Sequence, residues 1–162
     1  MRTNLKFSKT ETKSSPNSAK VKFDKGPKIA IHIEMKDGEI LSSHLSVSDV
    51  LTCTGADAKL LEWLKRYSEG KADSLVLLAG APFQIQVMQA LCKIPFGETI
   101  SYKELAELCG CPRGARAIGN ACGNNPFPLF VPCHRVIHAD GHIGGFAGGS
   151  EIKRRLLEFE AG

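Results

Sequence analysis

The stretch SYKELAELCGCPRGARAIGNACGNNP, residues 101–126, contains the signals that decide the fold. Ser101 is a favourable helix N-cap and Glu104 completes a capping box, so a helix is predicted over residues 102–109. Gly110-Cys111-Pro112 interrupts the helical pattern, and a second helix is predicted over about residues 113–123. Two short helices joined by a tight glycine-containing turn are typical of a helix-turn-helix, although α-rich domains in general also contain such pairs. The predicted inner positions are Leu105 and Leu108 in the first helix, and Ala117, Ile118, Ala121 and Cys122 in the second.

The second of these helices is built almost entirely from small residues, which would let it approach a bulky partner closely. Arg113, Arg116 and Asn120 are its long side chains, and they form a small set for reading base edges in a major groove. The composition therefore favours insertion into a DNA groove over readout of a particular base sequence.

Further elements are expected on both sides of this pair. A helix is predicted over residues 82–93 because proline opens it and apolar residues recur at helical spacing. After the pair, a buried strand is predicted over residues 129–131 and a short strand over 135–138. A glycine-rich loop over 139–149 then leads to a last helix, which Ser150 would cap and which would extend to Phe159.

The N-terminal half has the pattern of a small α/β unit. Alternating isoleucines predict a strand over residues 28–35, a turn at 36–39, and a returning strand over 40–47. A helix is predicted over residues 58–67. The expected fold is an α/β N-terminal domain over 28–79, with a small antiparallel sheet plus a helix. A mostly α-helical C-terminal domain over 80–162, with a winged helix-turn-helix, follows it.

Composition and charge limit the function classes. With 43% hydrophobic and 23% charged residues, no long apolar run and no apolar leader, the 162-residue chain is expected to be a globular protein outside membranes. Six cysteines without a secretory signal favour reduced thiols in the cytoplasm or the nucleus.

The net charge is +4, but residues 1–26 hold seven basic and two acidic side chains, a balance of +5 that leaves −1 for the rest. Residues 1–27 are therefore predicted to be a basic, disordered tail. Such a tail could also contact DNA phosphates or, less favourably given its acidic residues, act as a transit peptide.

Cys133 is the candidate nucleophile. The other five cysteines are expected to be small buried side chains, whereas Cys133 follows a rigid Pro132 and precedes His134 and Arg135, both able to stabilise a thiolate. In an extended chain His134 would point to the opposite face, so proton transfer between the two would need a turn or a bridging water. The carboxylates that could orient such a base are Glu151, Glu158 and Glu160. No metal site is predicted, because Cys109 and Cys111 have the wrong spacing for a zinc knuckle.

Four segments together resemble one known family: PCHRVI at residues 132–137, ARAIG at 115–119, Asn125-Pro126, and IPFGETISY at 94–102. Over residues 81–162 the chain is similar to the O6-alkylguanine-DNA alkyltransferases, also called methylated-DNA–protein-cysteine methyltransferases. PCHR behind the arginine-bearing helix and the Asn-Pro pair is highly specific. The N-terminal half fits loosely, as the variable α/β domain of such proteins.

The resemblance implies a DNA-repair methyltransferase that acts by direct reversal. The alkyl group of O6-alkylguanine in double-stranded DNA, and as a second candidate that of O4-alkylthymine, would pass irreversibly to the protein's own cysteine after base flipping. Each molecule would act once, as a suicide enzyme. The resemblance implies no cofactor, no metal, no membrane and a monomer in solution, in the cytoplasm of a bacterium or archaeon or the nucleus of a eukaryote.

The resemblance also implies catalytic roles. Cys133 is the alkyl acceptor, His134 is the base that activates it through a water, and Glu160 is the carboxylate that orients His134. Arg116 enters the stack that the flipped nucleotide has left, and Tyr102 crowds the phosphate and hydrogen-bonds the guanine. Asn120 and Arg135 are expected to contact DNA beside Arg116.

Several further positions match the family's substrate pocket. Asn125 ties the helix-turn-helix to the active-site loop, and the carbonyls of Cys133 and Val136 receive the guanine amino group. The backbone N–H of Ala147 faces O6. Two positions depart from the human-type members, since Phe146 stands in place of a tyrosine and Cys122 replaces a larger apolar residue. Stacking is therefore retained with loss of a hydroxyl, and a roomier pocket that accepts bulkier alkyl groups is expected.

Three other functions compete with this interpretation. Lesion-flagging relatives replace the acceptor cysteine, typically by tryptophan, whereas Cys133 is present here. A methylation-responsive regulator would need a further domain with its own cysteines, for which 162 residues leave little room. A Cys-His hydrolase would need an oxyanion hole, for which only generic glycine amides are available.

Overall fold

The computed structural model describes residues 19–162. The N-terminal half contains β1 (Val21–Lys22), β2 (Ile29–Lys36), β3 (Glu39–Val47), β4 (Thr52–Thr54) and α1 (Ala58–Ser68). The C-terminal half contains α2 (Pro82–Leu91), β5 (Ile100–Ser101), α3 (Tyr102–Leu108), α4 (Ala115–Gly123), a 3-10 turn (Cys133–Arg135), β6 (Val136–Ile137) and α5 (Ser150–Ala161). No helix within this described part is long and apolar enough to cross a bilayer.

The predicted hairpin is present as β2 and β3, paired antiparallel with Ile31 opposite Leu45. Asp37 and Gly38 turn the chain with φ values of 53° and 80°, as a two-residue turn that matches the strand twist requires. Ile29, Ile31 and Ile33 on one face of β2 are buried, so the alternation read from the sequence marks the inner face of the sheet.

The sheet is mixed, and the expectation of an antiparallel sheet is corrected here. Its strand order is β1-β4-β2-β3, with β4 parallel to β2 and antiparallel to β1. After β3 the chain crosses back and lays Thr52–Thr54 along the free edge of β2, in the same direction. Strands of two and three residues are too short to leave a periodic signal, and neither β1 nor β4 was predicted.

The predicted tail over residues 1–27 is only partly within the described residues. Residues 1–18 lie outside them, so the prediction for that part stays open. Val21 and Lys22, by contrast, pair with Cys53 and Thr52 in the sheet. Residues 21 and 22 are therefore part of the folded sheet, although composition placed them in the tail.

The capping box at the start of α3 is confirmed. The Ser101 hydroxyl accepts from the Glu104 backbone N–H at 3.1 Å, and a Glu104 carboxylate oxygen accepts from the Ser101 N–H at 2.7 Å.

The two halves of the chain share one hydrophobic core. The ring centroids of Trp63 and Phe130 are 5.0 Å apart, and those of Tyr67 and Phe96 are 5.6 Å apart. Helix α1 is thereby fixed against the segments that carry the site.

Two predicted inner positions are wrong. Leu108 is 71% exposed and Ala117 is also exposed. The side chains buried from this pair of helices are Leu105, Ala106 and Cys109 near α3, and Ile118, Ala121 and Cys122 on α4. On each helix these three positions cover an arc of about 100°, and Leu108 and Ala117 lie about 60° and about 40° outside it.

Two local predictions in the C-terminal half are also corrected. Residues 129–131 are buried as expected, but they form a turn in which Leu129 has φ 77°, not a strand. Gly149, with φ 95°, precedes the first turn of α5, so Ser150 is the first helical residue and not the cap. The predicted strand over 135–138 is present as β6, which pairs parallel with β5.

Candidate active site

Cys133 opens the 3-10 turn that follows Pro132, and its side chain is a buried free thiol. The turn corrects the extended chain assumed for Cys133 and His134, and with it the premise that their side chains must point to opposite faces. Burial raises the pKa of the Cys133 thiol, while the Asn125 amide and the Lys153 ammonium act in the opposite direction. The resting side chain is therefore a thiol that needs a base before it can act as a nucleophile.

His134 is fully buried, and its Nε2 lies 2.7 Å from a carboxylate oxygen of Glu160. Burial lowers the pKa of His134 despite the opposing effect of Glu160, so the imidazole is neutral near pH 7. An ionised carboxylate only accepts hydrogen bonds, which assigns the proton to Nε2 and the lone pair to Nδ1. Among the described residues His134 Nδ1 has no hydrogen-bond partner. The residue that follows Cys133 in the sequence thus carries a buried nitrogen that can accept a proton.

Glu160 is the centre of a buried polar cluster. Besides His134 it accepts hydrogen bonds from the Tyr67 hydroxyl at 2.8 Å and from Arg135 Nε and Nη2 at 2.7 and 3.0 Å. Burial alone would raise the pKa of Glu160, but His134 and Arg135 outweigh it and lower that pKa to about 2. The carboxylate is therefore ionised at physiological pH and fixed in one orientation.

Arg135 does not lie where the sequence predicted. It was expected to contact DNA, yet it is 3% exposed and its guanidinium also donates to the Ile94 carbonyl at 2.6 Å and the Ser74 hydroxyl at 3.2 Å. Its charge is paired inside the protein because Glu160 needs a counter-charge there. Arg135 instead fixes the Glu160 carboxylate, which in turn holds the His134 imidazole.

Asn125 links the end of α4 to the turn that carries Cys133. Its amide nitrogen donates to the Val131 carbonyl at 2.9 Å and to the Cys133 sulfur at 3.3 Å, and its amide oxygen accepts from the Phe127 N–H at 2.9 Å. This buried side chain therefore connects the helix, the turn and the thiol directly.

Cys133 opens onto a cavity of about 630 Å³, a size typical of small-molecule sites. The predicted site residues that line it are Cys133, Tyr102, Arg116, Asn120, Cys122, Phe146 and Ala147. Arg116 and Asn120 are exposed on α4, whereas Tyr102 and Phe146 are half-buried. Within residues 19–162 no group of three or more histidine, cysteine or acidic side chains is arranged to hold a metal ion.

A second, wider cleft of about 1070 Å³ lies beside α1. It is larger than the cavity at Cys133, but its lining mixes lysines with acidic residues and includes no cysteine. Size alone would favour this cleft as the site. The chemistry favours the smaller cavity, because that is where the candidate nucleophile lies.

Sequence reasoning missed two buried polar residues of the site. Lys153, on α5, donates to the Val136 carbonyl at 2.6 Å and to the Tyr102 hydroxyl at 3.4 Å, and burial lowers its pKa. Tyr67, on α1, donates to Glu160. In the sequence Tyr67 has the spacing of an ordinary core residue. The spacing of apolar residues around Lys153 does not indicate that this lysine is buried.

Comparison with known proteins identifies the family. The family described as "6-O-methylguanine DNA methyltransferase, DNA binding domain" matches residues 82–162, half of the chain. The chain belongs to this methyltransferase family.

Relatives and solved structures agree with that assignment. The chain is 49% identical over 100 residues to a methylated-DNA–protein-cysteine methyltransferase of Methanosarcina barkeri, covering 60% of this chain and 63% of that protein. It is 46% identical over 109 residues to one of Mycobacterium bovis, covering 65% and 66%. The matched part is thus just under two thirds of the length of these curated relatives.

A crystal structure of Mycobacterium tuberculosis OGT in complex with DNA superposes with a TM-score of 0.61 and 44% identity, over 68% of this chain and 70% of that one. A structure of the O6-methylguanine methyltransferase of the same organism covers 82% of this chain and 93% of its own, at 32% identity. The resemblance read from the four sequence segments is confirmed. The fold, a small mixed sheet with helices, is that of these methyltransferase structures.

Proposed function

We propose that this chain repairs DNA by direct reversal, moving the alkyl group of O6-alkylguanine in duplex DNA onto the sulfur of Cys133. The relatives are named as methyltransferases of this kind, and one related structure contains DNA. The observation that carries the proposal is the buried His134, with Nε2 on an ionised Glu160 and Nδ1 unpartnered among the described residues. A duplex with a labelled O6-methyl group tests it, because the label should move to the protein, one per molecule.

The proposed chemistry balances without a cofactor. His134 Nδ1 takes the thiol proton of Cys133 through a water, while Glu160 stabilises the imidazolium that forms. The thiolate attacks the alkyl carbon in line, so the S–C bond forms as the bond to O6 breaks. The departing guanine takes up a proton, and the electron pair of the broken bond stays on it. The thioether is stable, and each molecule therefore acts once.

The proposed DNA contact uses α3 and α4 as a helix-turn-helix, with the β5–β6 pair and the loop over residues 138–149 as its wing. Residues 80–162 would form this domain, and the preceding residues from β1 to 79 would be the supporting α/β domain. The acceptor must remain a free thiol, so the proposed site of action is the cytoplasm or the nucleus. The protein is proposed to act there as a monomer.

The proposed substrate pocket is the cavity at Cys133. Phe146 would stack on the extruded base and the Ala147 N–H would face O6, with the Cys133 and Val136 carbonyls toward the amino group. Lys153 uses one lone pair of the Val136 carbonyl, which leaves the second lone pair for that contact. Tyr102 would crowd the phosphate, and Asn120 would contact the DNA backbone.

Arg116→Ala should slow transfer by about tenfold, since an intercalated side chain offsets part of the few kcal/mol that base flipping costs. Arg116 is exposed on α4 and lines the cavity, so its loss should not affect folding. Single-turnover transfer from a duplex is compared with transfer from free O6-alkylguanine, and Arg113→Ala is the matched control. A flipping role predicts a loss with the duplex alone, whereas a hydrolase would be indifferent to the change.

Benzyl groups should be accepted at a rate close to that of methyl transfer, because the small Cys122 side chain leaves room in the cavity. Cys122→Met refills that space and should slow benzyl transfer by about tenfold while changing methyl transfer little, as for a pocket that gains steric bulk. Competing single-turnover rates with the two substrates measure this. Benzyl transfer far slower than methyl transfer in the unaltered protein would contradict the prediction.

A further inference from the structure

His138 lies in the proposed nucleotide cavity and has no role in the chemistry above. Its ring centroid is 5.1 Å from that of Tyr102, at an interplanar angle of 52°. The residue is exposed, and its backbone is fixed in a tight turn, donating to the His142 carbonyl at 2.8 Å and accepting from the Gly141 N–H at 3.0 Å. An imidazole in contact with both solvent and Tyr102 is thus built into the cavity wall.

The polar ends of the two rings converge on one point of the loop. A Cβ placed on Gly144 would lie 3.0 Å from His138 Nε2 and 3.2 Å from the Tyr102 hydroxyl oxygen. These two distances sum to 6.2 Å, which is the upper limit on the separation of the two atoms. Two hydrogen bonds through one water span roughly 5.6 Å, so the two atoms lie at most about 0.6 Å beyond the distance that one water bridges. Gly144, with φ 75°, keeps this corner free of a side chain.

The proposed reaction creates a demand for a proton at this place. Guanine departs with the electron pair of the broken bond, and Tyr102 is the hydroxyl expected to hydrogen-bond it. Burial raises the pKa of Tyr102, so a phenolate left behind would be costly and would need a proton at once. Lys153, on the other side of Tyr102, is 1% exposed and donates to the Val136 carbonyl. His138, by contrast, is exposed to solvent.

We propose that His138 supplies the proton that Tyr102 passes to the departing guanine. The imidazolium gives its proton to the Tyr102 oxygen as Tyr102 gives its own to the base, so guanine leaves neutral and His138 becomes neutral. The proton taken from Cys133 remains on His134, and solvent restores both histidines. His138 acts through Tyr102 and is a positioning residue, not a catalytic one. The inference rests on the proposed function.

The charged and titratable neighbours of His138 are defined. Tyr102 from α3 faces its ring, and Lys153 from α5 lies behind Tyr102 at 3.4 Å from the hydroxyl. Asp140 and His142 of its own loop form an exposed pair at 3.0 Å.

The test compares His138→Phe, which keeps an aromatic ring against Tyr102, with His138→Ala, which removes it. Single-turnover transfer of methyl from a duplex is measured at saturating DNA, with the affinity for DNA measured separately. Both variants should transfer methyl about tenfold more slowly than the unaltered protein. Added imidazole should restore the rate of His138→Ala but not that of His138→Phe.

Two outcomes would overturn the inference. A Phe variant as fast as the unaltered protein would mean that His138 only supports the Tyr102 ring. A loss confined to DNA affinity, with an unchanged rate at saturation, would mean that it contacts the DNA backbone. Failure of the proposed function gives a different result, because the unaltered protein would then acquire no methyl group. If only the role of His138 is wrong, the unaltered protein and both variants should still reach one methyl per molecule.

Discussion

Cys133→Ser should abolish alkyl transfer and leave the affinity for a lesion-containing duplex within about twofold of the unaltered protein. Serine has almost the same shape as cysteine, but its hydroxyl is far less acidic, and the buried His134 cannot ionise it to a useful extent. The Asn125 amide, which donates to Cys133 at 3.3 Å, can donate to the serine oxygen instead, so the turn should stay intact.

The matched control is Cys122→Ser, which changes a second thiol in the same cavity and should retain transfer. Labelled-methyl transfer and fluorescence anisotropy of a labelled duplex provide the two readouts. If DNA binding disappeared together with transfer in Cys133→Ser, the thiol would have a structural role and the proposed chemistry would lose its nucleophile.

Glu160→Gln should slow transfer by about 100-fold and destabilise the fold by about 3–5 kcal/mol. The amide has one acceptor oxygen, whereas the Glu160 carboxylate now accepts from His134, Tyr67, and Nε and Nη2 of Arg135, all of them buried. The rate falls because the His134 imidazolium loses its anion and its fixed tautomer. The stability falls because the buried Arg135 loses its counter-charge. Single-turnover kinetics and urea unfolding measure the two effects.

The pH dependence of stability provides a second readout for Glu160. Its pKa is about 2 in the folded protein and 4.5 in its ordinary state, so the folded state binds the proton more weakly. The stabilisation is therefore complete above about pH 4.5 and is lost as pH falls toward 2. Glu160→Gln should remove this part of the acid-induced loss of stability.

The control for Glu160→Gln is Tyr67→Phe, which removes one donor and leaves the charge pair intact. This change should cost about 1–2 kcal/mol and little of the transfer rate. A Glu160→Gln variant that is destabilised but transfers at the unaltered rate would remove Glu160 from the activation of Cys133.

Local signals in the sequence were sufficient for much of the fold. The capping box of α3, the hairpin turn at Asp37 and Gly38, and the proline that opens α2 each act through neighbours in the chain, and each is present. The short strands β1 and β4 escaped prediction because their pairing depends on partners distant in sequence. The parallel direction of β4 on β2 follows from that same long-range pairing.

The site was predictable to the extent that its motif is local. The PCHR segment predicted a nucleophile beside a base, and the cavity contains the acceptor and most of the pocket residues expected from the resemblance. Arg135 was misassigned because nothing local in the sequence reveals that Glu160 takes its charge. Tyr67 and Lys153 were missed because only the packing of α1 and α5 brings them to the site.

The central claim is that Cys133 is the permanent acceptor of the alkyl group, and peptide mass spectrometry tests it most directly. The protein is incubated with an excess of duplex carrying O6-methylguanine, and its intact mass and digested peptides are measured. One added methyl, located on Cys133, with no further repair after one equivalent, is the predicted result. An unchanged mass despite binding to the lesion, or a methyl group on another residue, would contradict the account.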